Sequence, residues 1–159
     1  MTPEEISALL DEPLVGVLST IDGQGYPHSV GIYYLPQISG EGLELWTWVY
    51  GKSQKTLNVE RTPKAALLVE HGTPYADLKG VLVRGPARVE RDFDVVFDIG
   101  KKMYERYFEA RTGVPLEQGA IETVEGQSRK RVCIVIKAER YASWDHAQGG
   151  RSAFSPKEA

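Results

Sequence analysis

The 159-residue sequence has one cysteine, Cys133, and three histidines, His28, His71 and His146. A single thiol excludes a disulfide framework within the chain and any multi-cysteine zinc site, and the histidines share no metal-ligand spacing, so no metal is predicted. No run approaches the roughly 20 apolar residues that cross a bilayer, which predicts no membrane helix. The opening residues MTPEEISALL are acidic where a secretory leader is basic, and a cytoplasmic protein is expected. Basic residues are not in excess: 19 Lys and Arg face 22 Asp and Glu, a formal charge of −3, so nothing in the charge balance predicts nucleic acid. Also absent are GxGxxG after a strand, GxxxxGK[ST], HExxH and GxSxG, and with them the fingerprints of dinucleotide folds, P-loops, zincins and serine hydrolases.

What is present is the composition of one ordinary globular domain, with 42% hydrophobic and 26% charged residues. A chain of this length buries roughly 70% of its unfolded surface, enough for a core without covalent staples. Thr2-Pro3-Glu4-Glu5 predicts a capping box and a helix to about Leu10. Leu14–Ile21 and Tyr26–Tyr34, rich in β-branched and aromatic residues around the turn Asp22-Gly23-Gln24-Gly25, predict a hairpin. Leu43–Val49 alternates and predicts a third strand; Ser53–Arg61, stopped by Thr62-Pro63, predicts a two-turn helix capped by Ser53. Two more strands follow at Ala65–Glu70 and Leu78–Glu90, with Gly85-Pro86 marking a bulge or an edge. Residues recurring at helical spacing from Phe93 to Arg111 predict a long amphipathic helix ending near Thr112-Gly113. Val114–Gln127 has no clear period, Arg131–Tyr141 predicts a last strand, and the Gly/Ser-rich sequence from Ala142 onward is expected to be irregular. The order predicts an α+β, mainly β fold: a small antiparallel barrel of six or so strands with inserted helices.

The strongest candidate for chemistry is Gly51-Lys52-Ser53-Gln54-Lys55-Thr56-Leu57-Asn58. Ser53 would stand at a helix N-terminus, where free N–H groups and the positive dipole end favour an anion. Lys52 and Lys55 add charge, and Lys55 and Asn58, three apart, would share a helix face, a set suited to a phosphate. The competing reading is a solvated cap flanked by two surface lysines. Trp46, Trp48 and Tyr50 lead into this loop, so a flat aromatic ligand with a phosphorylated tail would fit along the strand, although such aromatics also serve as core.

Taken in order, Gly25-Tyr26-Pro27-His28, Leu45-Trp46-Thr47, Lys52–Asn58, Arg61-Thr62-Pro63-Lys64-Ala65, Leu78–Val81, Gly85–Val89 and Arg140–Asp145 resemble the split β-barrel oxidoreductases of the pyridoxamine 5′-phosphate oxidase-like superfamily. The similarity is greatest to its branch using flavin or the deazaflavin F420. The resemblance implies a split-barrel cofactor-binding domain over residues 1–145 and a tail over 146–159. It implies that Ser53, Lys55 and Asn58, with Lys52, hold the cofactor phosphate. The tricyclic ring would lie along His28, Ser29, Val30 and Gly31 and along Trp46, Thr47 and Trp48. It further implies a homodimer with cofactor sites at the interface, Lys79 and Trp144 reaching in from the second subunit, and a small-molecule substrate. The implied reaction is F420-dependent hydride transfer to or from a small unsaturated or oxidised molecule. FMN is the alternative cofactor, and a non-enzymatic flavin- or haem-binding protein the alternative function. No catalytic residue is assigned; Lys55, Tyr33, His28 or water would supply a proton. A basic groove for an acidic F420 tail would be lined by Lys52, Arg61 and Lys64. The basic pair expected near the C-terminus for a phosphorylated pyridine substrate is missing, Arg140 and Arg151 being the nearest arginines.

Overall fold

Helix α1 (Pro3–Asp11) begins as its sequence predicts: Thr2 Oγ1 accepts from the Glu5 amide at 3.2 Å, and the Glu5 carboxylate accepts from the Thr2 amide at 2.7 Å. The computed structural model describes residues 1–39 and 42–148. The hairpin of β1 (Gly16–Ile21) and β2 (Pro27–Ile32) follows, its turn tied by Asp22 Oδ1, which accepts the amides of Gln24 and Tyr26. Gly25 takes φ +89° there, a conformation a side chain would oppose.

The sequence missed the next strand. β3 (Tyr34–Ser39) pairs with β4 (Gly42–Thr47), Pro36 opposite Leu45. Pro36 hid it, and β3 tolerates a proline because it is an edge strand. Two-residue β5 (Val49–Tyr50), α2 (Gln54–Arg61), β6 (Lys64–His71), a 3-10 turn at Tyr75–Asp77 and β7 (Lys79–Glu90) come next. The predicted last strand is two: β8 (Arg131–Lys137) and β9 (Arg140–Asp145). Ala142–Asp145, expected to be irregular, is therefore paired backbone, and residues 149–159 of the predicted tail lie outside the described residues.

The nine strands join in antiparallel ladders in the order β2-β1-β6-β7-β8-β4-β3, with β5 on β8 and β9 on β7. Strand β7 explains the arrangement. Its first half, Lys79–Arg84, runs between β6 and β9, whereas Ala87–Glu90 pairs with β8. The switch falls at Gly85-Pro86, where a Cβ on Gly85 would stand 1.8 Å from the Lys137 carbonyl oxygen, so only glycine lets the two backbones approach. One residue, Tyr33, carries the chain from β2 at one edge of the sheet to β3 at the other. That short connection wraps the sheet into a split barrel, α+β and mainly β, with no ladder between β2 and β3 among the described residues.

Alternation fills the barrel: Leu18, Leu45, Leu67, Val69, Val81, Val83, Ile134 and Ile136 are fully buried, each worth roughly 1.5–3 kcal/mol. Leu9 and Leu10 of α1 and Val59 of α2 join this core. A second cluster lies outside the barrel, where α3 (Phe93–Met103) packs Val96, Ile99 and Met103 on Cys133 and Val135 of β8, with Trp46 and Trp48 at its margin. Burial pushes the Cys133 thiol up to about 12, so it is an inert core group. The long helix predicted from Phe93 continues through a π-helical stretch, Tyr104–Glu109, and a last turn, α4 (Ala110–Thr112), ended by Gly113 at φ +69°. The stretch without a clear period holds α5 (Gln118–Ser128), which packs across α3. Among the described residues no helix is long and apolar enough to cross a membrane.

Candidate functional site

The loop entering α2 is pinned from both sides. The Gly51 amide donates to the Lys130 carbonyl at 3.0 Å, while the Tyr50 carbonyl accepts the Ser53 amide and the Thr56 hydroxyl. Ser53 occupies the cap position but does not cap: its hydroxyl lies 3.0 Å from Thr56 Oγ1, and no side chain takes the first-turn amides. The reason is that Thr56, fully buried, binds both Tyr50 and Ser53. The helix thus opens on donors with no side-chain cap, the arrangement that suits an anion.

Cations gather around that opening. Arg131, the first residue of β8, lies 4.2 Å from the Trp48 ring centroid and 4.5 Å from that of Tyr50, clamped between them. Its guanidinium donates to the Trp48 carbonyl at 3.2 Å and to Gln127 Oε1 at 3.1 Å, leaving Nε buried and unpaired. Lys55 is half-buried; burial first and the Arg131 charge second hold its ammonium below its ordinary pKa. Among the described residues Lys52, Lys55, Lys130 and Arg131 have no carboxylate ion pair, whereas Arg91 is paired with Glu60 and Arg129 with Glu125. Lys52, Arg91, Arg129, Lys130 and Arg131 line one cavity of roughly 430 Å3, with Glu60 as its acid. Half-buried cations that lack a carboxylate are stabilised when an anion binds.

Sequence reasoning missed Arg131, which lies 76 positions beyond Lys55 and reaches the loop only through the pairing of β5 with β8. The run Arg129-Lys130-Arg131 was its available signal. The groove predicted from Arg61 and Lys64 is corrected. Arg61 donates to the Ile21 carbonyl at 3.0 Å and to Asn58 Oδ1 at 2.9 Å, and Lys64 lines a different cavity with Ser19, Arg84 and Arg140.

Asn58 is corrected too. It is fully buried: Nδ2 donates to Thr20 Oγ1 at 3.0 Å, and Oδ1 accepts from Gln54 and Arg61. The Thr20 bond ties α2 to β1, the other two stay within α2, and Asn58 does not share an exposed face with Lys55. The residues expected to hold the ring are divided between β2, at one edge of the sheet, and β4 with the residue after it, next to the other. Ser29 and Gly31 are exposed, Ser29 exchanging a hydrogen bond with Ser19 at 2.9 Å, while Val30 packs on the barrel core. His28 Nδ1 is buried without a hydrogen-bond partner. Trp46 donates to Glu44 at 3.0 Å beneath Arg88, and the Arg88 hydrogen bond holds the Glu44 carboxyl below its ordinary value. Thr47 is buried and donates to the Ile134 carbonyl. Trp48 alone of the three remains beside the cation cluster, its Nε1 buried and unpaired. Lys79 lies at the far end of β7, ion-paired with Glu12 at 3.1 Å, and Trp144 of β9 lies over Gly80, where a Cβ would stand 2.4 Å from the indole. Of the expected site residues, the structure therefore brings together Lys52, Ser53, Lys55 and Trp48 in this chain. Among the described residues no three His, Cys, Asp or Glu side chains are grouped to hold a metal ion.

A split barrel of this topology defines a class, and the sequence profile of the pyridoxamine 5′-phosphate oxidase family matches residues 2–145. The chain belongs to that family. No curated protein matches it. Among solved structures it is similar to a conserved hypothetical protein of Mycobacterium tuberculosis, with 33% identity, TM-score 0.81, and coverage of 98% of this chain and 91% of that one. It is also similar to a protein described as an F420 reductase, at 26% identity and TM-score 0.65, covering 89% and 98% of the two chains. The haem storage protein HutZ of Vibrio cholerae shares the fold at 18% identity and TM-score 0.63, covering 90% and 93%.

Proposed function

We propose that the chain is an F420-dependent oxidoreductase that moves a hydride between the deazaflavin and a small unsaturated or oxidised molecule. The observation that carries this reading is the cation cluster at the start of α2. Ser53, the first-turn amides and Lys55 suffice for one phosphate. Lys52, Arg129, Lys130 and Arg131 continue the positive surface past it and favour a cofactor whose tail carries further negative charge over FMN, which has none. The likeness to an F420 reductase supports the same choice. The bound cofactor supplies the hydride chemistry. The chain binds and orients it: Lys55 and Arg131 neutralise the phosphate, and the clamped Trp48 ring limits how the planar portion can lie.

A homodimer is part of this proposal. Its interface would be the outer face of β2, β1, β6, β7 and β9, where register aligns Gly31, Val17, Leu68, Leu82 and Ala142 in one row of small and apolar residues. Val17 is 38% exposed in the single chain. Trp144 stands at the end of that face, placed to approach a second copy.

The test is fluorescence titration of the purified protein with F420 and with FMN, repeated for Lys55→Ala and Arg131→Ala. The expected result is tighter binding of F420, weakened about tenfold or more in each variant, the loss of a charge-assisted contact. Binding of neither cofactor, or equal binding by both variants, overturns the reading.

A further inference from the structure

The inner face of β3 is filled at one end and bare at the other. Tyr34, Pro36 and Ile38 alternate onto that face, and exposure climbs along it: Tyr34 is fully buried, Pro36 half-buried, and Ile38 is 74% exposed. The fork of β8 and β9 is the reason. At Ala138 the amide still reaches the Leu43 carbonyl at 2.9 Å, but the chain then leaves β4 and runs beside the first half of β7 as β9. Ile38, paired with Leu43 at the end of the hairpin, therefore faces a gap where the other inward residues meet the core.

Helix α1 borders this gap without filling it. Its Ile6, Ser7 and Leu10, three and four apart on one helix face, line a cavity of roughly 510 Å3 together with Pro36, Ile38 and Leu43 of the hairpin and Tyr141 of β9. Leu10 belongs to the barrel core and Leu43 packs on it, so the cavity opens directly off that core. Tyr141 is paired with the fully buried Val83 and points to the core side of β9, whereas Ala142 points to the face proposed for the dimer. The volume is that of a small-molecule site, roughly 300–1,000 Å3.

One charge chooses among apolar ligands. Asp11 is the only charged side chain of the lining, and among the described residues its carboxylate has no ion pair and no hydrogen bond. The rest of α1 agrees in sign, since Pro3–Asp11 carries Glu4, Glu5 and Asp11 and no basic residue. We infer that this cavity is a binding site for an elongated aliphatic molecule bearing one positive group: the chain covers Ile38, Leu43 and Tyr141, and the cation meets Asp11. The site stands apart from the cofactor proposal, because none of its lining residues lines the cavity at α2.

The probe is octylammonium, with neutral 1-octanol for comparison, titrated calorimetrically into the purified protein. Three variants accompany it, with thermal melts to confirm folding. Ser7→Phe fills the cavity, and Ala8→Phe puts the same side chain on the next residue of α1, which is exposed and does not line it. Asp11→Asn removes the charge and keeps the shape. The expected result is sub-millimolar octylammonium binding at one molecule per chain, weakened tenfold or more in Ser7→Phe and unchanged in Ala8→Phe. Octanol should bind the parent several-fold more weakly than octylammonium, and Asp11→Asn should lose that preference while binding octanol as the parent does. Should Ser7→Phe fail to fold, Asp11→Asn decides alone. Absence of binding at millimolar octylammonium, binding by folded Ser7→Phe equal to the parent, or a preference for octylammonium that survives in Asp11→Asn would each overturn the inference.

Discussion

The barrel interior and the loop at α2 treat polar groups in opposite ways. Inside the barrel the buried hydroxyl and amide side chains are partnered: Thr47 binds Ile134, Asn58 binds Thr20, and the Tyr34 hydroxyl is shared between the carbonyls of Leu10 and Glu12. Burial drives the Tyr34 hydroxyl well above its ordinary pKa, so it stays a neutral donor. Around the loop the reverse holds. Trp48 Nε1 and Arg131 Nε are buried and unpaired, and the Arg131 charge acts on Lys55 with no carboxylate ion pair on either among the described residues. An interior built for stability leaves nothing unsatisfied, because an unpaired buried group costs roughly 1–3 kcal/mol. Groups left unpaired in this way are open to a partner that the chain does not itself supply.

Three substitutions break or sharpen this contrast. Gly85→Val has the largest expected effect: its Cβ cannot coexist with the Lys137 carbonyl, so β7 and β8 must separate, destabilising the chain by about 4 kcal/mol or more. Thermal unfolding checks it, and a melting temperature like the parent's would mean that the strands do not meet there. Asn58→Ala comes next, stranding donors on Gln54 and Arg61 and the Thr20 acceptor; urea unfolding should show a loss of about 2–3 kcal/mol. Lys55→Met, three residues away, should do the opposite. Lys55 has a folded pKa below its unfolded value of 10.5, so between those two values the unfolded chain holds more protons and the parent gains stability as pH rises. The variant removes that alkaline rise and is no less stable than the parent at neutral pH. Unfolding midpoints collected from pH 7 to 11 test the sign, and a steeper rise in the variant would contradict it.

Local chemistry was legible, and distant pairing was not. The capping box at Thr2, the Asp22 turn and the α2 segment depend on residues within a few positions, and each could be read directly. Gly85-Pro86 announced a break in its strand, but which strands it exchanged depended on Lys137, fifty residues on. β3 was lost to Pro36, since only the full topology shows that it lies at an edge. β8 and β9 read as one strand because their joint at Ala138-Glu139 has no turn signature. At the site, Lys52, Ser53 and Lys55 were legible as one run. Spacing placed Asn58 beside Lys55, yet it could not tell which of the two faces the core. Arg131 needed the fold.

Two edge strands of the sheet carry a proline, Pro27 at the start of β2 and Pro36 within β3. A proline offers no amide to an incoming strand, and that is one of the ways natural sheets resist uncontrolled growth into fibres. Extension of the sheet by another extended segment is therefore disfavoured along those two strands. A homodimer of the kind proposed would join faces of the sheet instead of its edges and close on itself without continuing into a filament.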